Sequence, residues 1–465
     1  MKVFSYPALI FALAASVLVP GCSSAKKEIP TKSTLKESNE LDRLGLHFPL
    51  VTHHLSNGLK ILIVEDPMVP VVSYQTWVGV GSVDDTFGVT GMAHLFEHLM
   101  FKDSKKYGPR AFFNHLEAKG ANVNAFTTRD YTVFHETFVP TLLPLVIEME
   151  ADRLANLKID ADLLFTEREV VMEERRLRAE NSPEGRMQES VWATLFHAHP
   201  YRWPVIGYEE DLKRMEVRDL EEFFEKFYQP GNVTLVVVGA VKAGDVLAQI
   251  EKAYGSIPGR SRPTRRVPKE SEQVEPRRVV LKDQVASEKV TLAFPSTQAS
   301  DDDTYALDVL SNILFSGNAS RAYRRVVEEK EMALAVGGVN YTPFYPGVFM
   351  ASATLKRGFT GRDFEVEFER LVTEVQAHGV TQEEINIAVR QLTVQTVDSI
   401  RTAQGLGNLI GTVNAIFGDP MRFKDDIAKY SRVTNADVIR VARKYLVPAR
   451  KNVISLVPGS RGSAQ

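Results

Sequence analysis

His94 and His98 bracket Glu97 in the string HLFEH, and this is the strongest chemical signal in the chain. Four residues is about one helical turn, so on a helix both imidazoles project from one face. Two neutral ring nitrogens so spaced suit a zinc ion, and Glu97 beside them stands where a carboxylate can take a proton from a water. A single histidine would be ordinary surface or core filler. The pair with its glutamate is far more specific.

Zinc held by two histidines needs a third protein ligand. Residues 162–180, DLLFTEREVVMEERRLRAE, are rich in strong helix formers with apolar residues at helical spacing, and predict a helix. On it Glu167 and Glu174 stand seven apart and share a face, whereas Glu173 points about 100° away from Glu174. Taken alone, such a run also reads as a charged, solvated face.

The string EREVVMEE at 167–174, at this distance after HLFEH, resembles the pitrilysin-type (M16) zinc peptidases, in which the His-x-x-Glu-His order is the inverzincin signature. The resemblance extends through NGLKILIVED (57–66), GVGSVDD (79–85), GMAHLFEHLMFK (91–102), GANVNAFTTRDYT (120–132), EADRLANL (150–157), HPYRWPVIG (199–207) and YQPGNVTLVVVG (228–239). It implies that His94, His98 and Glu174 hold zinc, that Glu97 is the general base, and that Glu167 is a second helix carboxylate supporting the site. It also implies that ANVNAFT at 121–127, whose alternation suggests a strand with a polar face, is an exposed edge to which a peptide adds as an extra strand. Asn124 and Ala125 are then the positions expected to line the scissile bond.

The first residues bear on location. Lys2 precedes an apolar core at 8–19, too short to span a bilayer, and VPGC follows at 19–22. That pattern resembles a bacterial lipoprotein processing box. It makes residues 1–21 a signal peptide and Cys22, the only cysteine, the lipidated residue. Residues 22–44, rich in Ser, Lys, Glu and Thr, read as a tether, with the protein facing the periplasm from the outer membrane. A plain secretory signal with a stray cysteine is the alternative.

Composition fits a folded body beyond the anchor, at 44% hydrophobic, 25% charged and a formal net charge of −3. No basic excess argues for nucleic acid. The length exceeds what one hydrophobic core holds, so two domains are expected, 45–257 and 279–460, joined by a proline- and charge-rich linker at 258–278. The two sides look like copies. LKILIVED, VVSYQTWV and the HLFEH helix are matched in order by RRVVLKDQ, KVTLAF and TYALDVLSNILFSG, and only His378 of ten histidines follows the linker. The expected fold is α+β, each half a mostly antiparallel sheet with helices packed on one face. The resemblance adds a clamshell arrangement of the halves.

One departure from the family stands out. Members working as a single polypeptide carry an Arg and a Tyr seven residues apart in the second half, and here VVEEKEMAL places Val327 and Leu334 at those positions. The resemblance therefore implies the zinc-bearing chain of a heterodimer, with a homologous subunit supplying the Arg/Tyr pair. The competing expectation is a non-catalytic scaffold or peptide-binding lipoprotein of the same fold.

Overall fold

The computed structural model describes residues 48–459. The expected signal peptide, the tether and Cys22 lie outside the described residues. Among those described, no helix is long and apolar enough to cross a membrane.

The strands are β1 (Leu50–His54), β2 (Lys60–Glu65), β3 (Val72–Val78), β4 (Asn122–Thr127), β5 (Thr132–Phe138), β6 (Val233–Gly239), β7 (Arg277–Asp283), β8 (Lys289–Pro295), β9 (Ala333–Tyr341), β10 (Val348–Leu355) and β11 (Asn452–Pro458). They form a six-stranded sheet, β1-β2-β6-β3-β5-β4, and a five-stranded sheet, β7-β11-β8-β10-β9. Among these pairings only β2–β6 and β7–β11 are parallel. Five strands of the first sheet have counterparts in the second in the same spatial order, so the chain is α+β with two matching halves.

Eight helices position the site or join the halves: α1 (Met92–Leu99), α2 (Leu143–Asn156), α3 (Ala161–Arg175), α4 (Pro183–Leu195), α5 (Asp303–Phe315), α6 (Gly361–His378), α7 (Gln382–Ser399) and α8 (Ala403–Phe417). The sequence pattern predicts helices on one face of each sheet. In the structure the other face is also covered, by a helix from the opposite half. Strand β3 shows why. Its side chains alternate, and every residue is buried. Tyr74 and Thr76 face their own half, where the Thr76 hydroxyl donates to Glu150 of α2 at 2.6 Å and Tyr74 meets Tyr254 at 2.9 Å. Gln75 and Trp77 face α8. A Cβ added at Gly407 would lie 2.6 Å from Gln75, and one at Gly411 would lie 2.1 Å from Trp77. The small-x-x-x-small stripe GNLIG is thus what admits α8 to the sheet.

The exchange is reciprocal. Met187, Val191, Trp192 and Leu195 of α4 pack with Ala293, Val348, Ile454 and Leu456 of the second sheet. The opposite face of that sheet packs on α5 and α6 through Leu292, Phe294 and Phe349.

The expected linker is strapped down rather than loose. Arg265 holds the Asp84 carboxylate with two donors and reaches the Asp130 carbonyl, while Glu270 accepts the backbone N–H groups of His197, Ala198 and His199. Neither helix nor strand occurs between Tyr254 and Arg277, and β7 begins at Arg277, inside the expected linker.

Candidate metal centre

The site is built on the N-terminus of α1. Gly91 has a φ of 91°, and a Cβ there would meet the Ile206 carbonyl at 2.5 Å, so only glycine turns the chain here. The Asp85 carboxylate accepts from Gly91 N at 2.8 Å and Ala93 N at 3.0 Å, tying down the first turn. Asp211 holds the preceding Thr90 through its hydroxyl. Fixed at that end, the short helix buries Leu95, Phe96 and Leu99 and turns His94 and His98 toward α3.

Helix α3 is capped by Asp160, whose carboxylate accepts from Leu163 N at 2.8 Å, and runs to Arg175 before a π-helical turn at Arg176–Glu180. Glu174 Oε2 lies 3.2 Å from His98 Nε2 and 3.9 Å from His94 Nε2. One ligand atom from each of His94, His98 and Glu174 lies within 4.8 Å of the others. Glu173 points to solvent and pairs with Arg176.

These donors fit zinc. Four-coordinate ligands at about 2.0–2.2 Å stand roughly 3.3 Å from one another, near the His98–Glu174 separation. Burial holds the His94 imidazole below its usual value and so neutral, as a ligand must be. Partial burial works to raise the Glu174 carboxyl, but the His98 hydrogen bond and the charges of His94, His98 and Arg178 prevail and bring it to about 2. Glu167 stands behind the three donors. Its Oε2 faces His98 Nδ1 at 3.9 Å, and its Oε1 pairs with Lys102 at 2.9 Å. A carboxylate there favours the tautomer that leaves His98 Nε2 free to ligate.

Glu97 is buried, and its Oε2 accepts a hydrogen bond from the Thr127 hydroxyl at 2.7 Å. Thr127 ends β4, which among the described strands pairs only with β5 and so leaves its outer edge open. On that strand Asn124 is exposed and Ala125 is buried, and the Asn124 side chain accepts from Ala125 N at 2.9 Å.

A family model described as Insulinase (Peptidase family M16) matches residues 60–208, and one described as Peptidase M16 inactive domain matches 214–392. The chain belongs to the M16 peptidase family. A relative from Helicobacter pylori named Zinc protease PqqE is 26% identical over 87% of this chain and 92% of its own length. The crystal structure of a protease from the same species superposes with a TM-score of 0.84 at 26% identity, covering 88% of this chain and all of that one. The periplasmic protease PqqL from Escherichia coli shares the fold with a TM-score of 0.73 at 17% identity. It is matched over 88% of this chain but only 47% of its own.

Within this M16 chain the HLFEH and EREVVMEE strings meet in space, and β4 lies against α1. At the two positions expected to lack the Arg/Tyr pair, Val327 packs on the second core and Leu334 stands 62% exposed at the start of β9. Tyr341 and Tyr345 are occupied against Trp192 and His199. The sequence motifs do not single out Lys102, Arg178 or Thr127. The first two follow His98 and Glu174 by four residues, a spacing that could have revealed them, and Arg178 sits 2.5 Å from Glu174. Thr127 meets Glu97 only through strand–helix packing, which no local pattern announces.

Proposed function

We propose that the chain is the metal-bearing subunit of a zinc-dependent endopeptidase that cuts short, unstructured peptides. The observation that carries this reading is the assembly of His94, His98 and Glu174 around one point, with Glu97 beside them and an open strand edge alongside. Zinc held by those three residues supplies a Lewis acid and lowers the pKa of a water. Glu97 then receives the proton of the attacking water at its carboxylate and is placed to return it to the leaving amine. The outer edge of β4 pairs with an extended peptide through backbone groups, which favours unfolded chains of varied sequence.

The partner part of the proposal rests on Val327 and Leu334. No side chain there can donate to the oxyanion of a tetrahedral intermediate, and losing such a donor costs on the order of 10²–10³ in rate. A second copy of this chain lacks the same groups, so the partner we propose is a homologous M16 subunit carrying an Arg/Tyr pair. Anchoring through lipid on Cys22 belongs to the same proposal, and labelled-palmitate incorporation that disappears in Cys22→Ala would support it.

The scaffold alternative draws on the inactive-domain match, which falls on 214–392, outside the residues that carry the donors. Cleavage of a quenched, unstructured peptide by the zinc-loaded chain, with and without a candidate partner, separates the readings. Turnover that vanishes in Glu97→Gln with zinc still bound supports the enzyme, and equal behaviour of the two proteins sinks it.

A further inference from the structure

Glu97 belongs to α1, whereas the hydroxyl that holds it belongs to β4, the strand whose open edge is available to a peptide. That contact joins the base to the peptide-pairing surface through one buried side chain. Thr127 is only 4% exposed, and its 2.7 Å hydrogen bond to Glu97 is formed away from competing water. Thr127 closes β4, at the end of the edge strand. It pairs in register with Thr132, whose hydroxyl donates to the Val80 carbonyl at 2.9 Å, leaving the Thr127 proton for Glu97. Ala125 and Thr127 are two apart and so share the face of β4 toward α1. A peptide hydrogen-bonded along the edge near Ala125 therefore orders the backbone that carries the Thr127 hydroxyl.

We propose that Thr127 is a positioning residue that couples pairing of a peptide on β4 to the orientation of the Glu97 carboxylate. The inference rests on the peptidase reading. The hydroxyl neither touches substrate nor ligates metal. It fixes one Glu97 oxygen and so aims the other. An edge strand is less constrained than a central one, so occupancy of the edge tightens this aim. Longer peptides, which pair over more of β4, then gain in turnover and not only in affinity, because remote binding is converted into alignment at the reacting centre.

The test compares zinc-loaded full chains carrying wild-type Thr127, Thr127→Val and Thr127→Ser, each with and without a homologous partner subunit carrying the Arg/Tyr pair, on a series of quenched, unstructured peptides of increasing length, with Glu97→Gln as the control. Valine keeps the branched shape and removes the donor, while serine keeps the donor. Thr127→Val is expected to lose about 10- to 100-fold in kcat with little change in KM or bound zinc. It is also expected to lose the rise of kcat with peptide length, and serine is expected to restore both. Unchanged kcat in the valine variant, a loss confined to KM, or a length dependence that survives the substitution would overturn the proposal. Crystal structures of the zinc-loaded wild type and Thr127→Val decide the positioning independently of turnover. The Glu97 carboxylate is expected to rotate away while His94, His98 and Glu174 stay in place, and an unmoved Glu97 overturns the idea. If wild type and Glu97→Gln are equally inactive even with a homologous partner subunit carrying the Arg/Tyr pair, the peptidase reading has failed by itself, and the two crystal structures still decide whether Thr127 aims the carboxylate.

Discussion

Helices α1 and α5 occupy matching places in the two halves, one following β2 and β3 and the other following their counterparts β7 and β8. Helix α5 buries one acid, Asp303, at its N-terminus, where Arg440, Lys444 and Tyr445 pair with it, and otherwise completes a core with Tyr305, Ala306, Leu307, Val309 and Leu310. Helix α1 buries His94 and Glu97 among its apolar residues and leaves His98 part-exposed beside α3. The same contrast holds one layer out. Helix α3 buries Glu167 where α7, which follows α6 as α3 follows α2, buries Ile385 and Ala388. A fold that packs well with apolar residues at these places does not need the polar ones for stability. Burying a histidine beside acids is costly, and among the described residues only the first half gathers such a cluster, which makes it the candidate for chemistry.

The sharpest way to break this comparison is to neutralise Glu97, the proposed base. Glu97→Gln is expected to lower peptide cleavage by about 10²- to 10⁴-fold with zinc content unchanged by atomic absorption. No single substitution on the exposed face of α7 should approach that. Next comes the support behind the donors. Lys102→Met removes the partner of Glu167 and is expected to weaken zinc by about 10- to 100-fold in a competitive chelator titration, while thermal unfolding of the metal-free chain barely moves.

Acid probes the contacts between halves. Burial pushes His135, beside Gln404 of α8, down to about 4, and burial likewise holds His199, against Tyr345, at about 4. Both lie below the value of about 6.5 in an unfolded chain, so folding excludes their protons. Their contribution is intact above pH 6.5 and is lost as pH falls through 4, at up to about 3 kcal/mol each. Denaturant titrations at pH 7 and pH 4 on wild type and His135→Gln should show the variant losing less. A smaller effect is expected from Gly411→Ala, whose methyl meets Trp77, at about 1–3 kcal/mol of stability without altered zinc affinity. Glu173→Gln should do nothing measurable to either quantity, because its carboxylate faces solvent.

Much of this arrangement is legible in the chain. The 3.6-residue period aligns His94 with His98 and Glu167 with Glu174, and alternation marks residues 121–127, which form β4 from Asn122. The duplication is visible because strand, strand and helix recur in order. What escapes a linear reading depends on contacts distant in sequence. Nothing near Gln75 or Trp77 says that a helix beginning at Ala403 will cover them, since both sides of a doubly buried strand look equally apolar-compatible. The alternation around His135 predicts exposure or a local hydrogen bond; the residue is buried and meets Gln404, and the reason is that same distant cover. Thr127 is hidden likewise, since its partner lies thirty residues away on another element.

The exchange of α4 and α8 also sets a timetable for synthesis. When β6 is complete, every strand of the first sheet exists, yet the side that carries Gln75 and Trp77 lacks the helix that covers it. Its cover begins at Ala403, roughly 160 residues later, which at about 5–20 residues per second is a wait of about 10–30 s. Over that interval the nascent chain holds a half-dressed sheet and a stranded α4, both open to chaperones. A chain cut short before residue 403 therefore carries the candidate metal donors without the helix that covers the far side of their sheet.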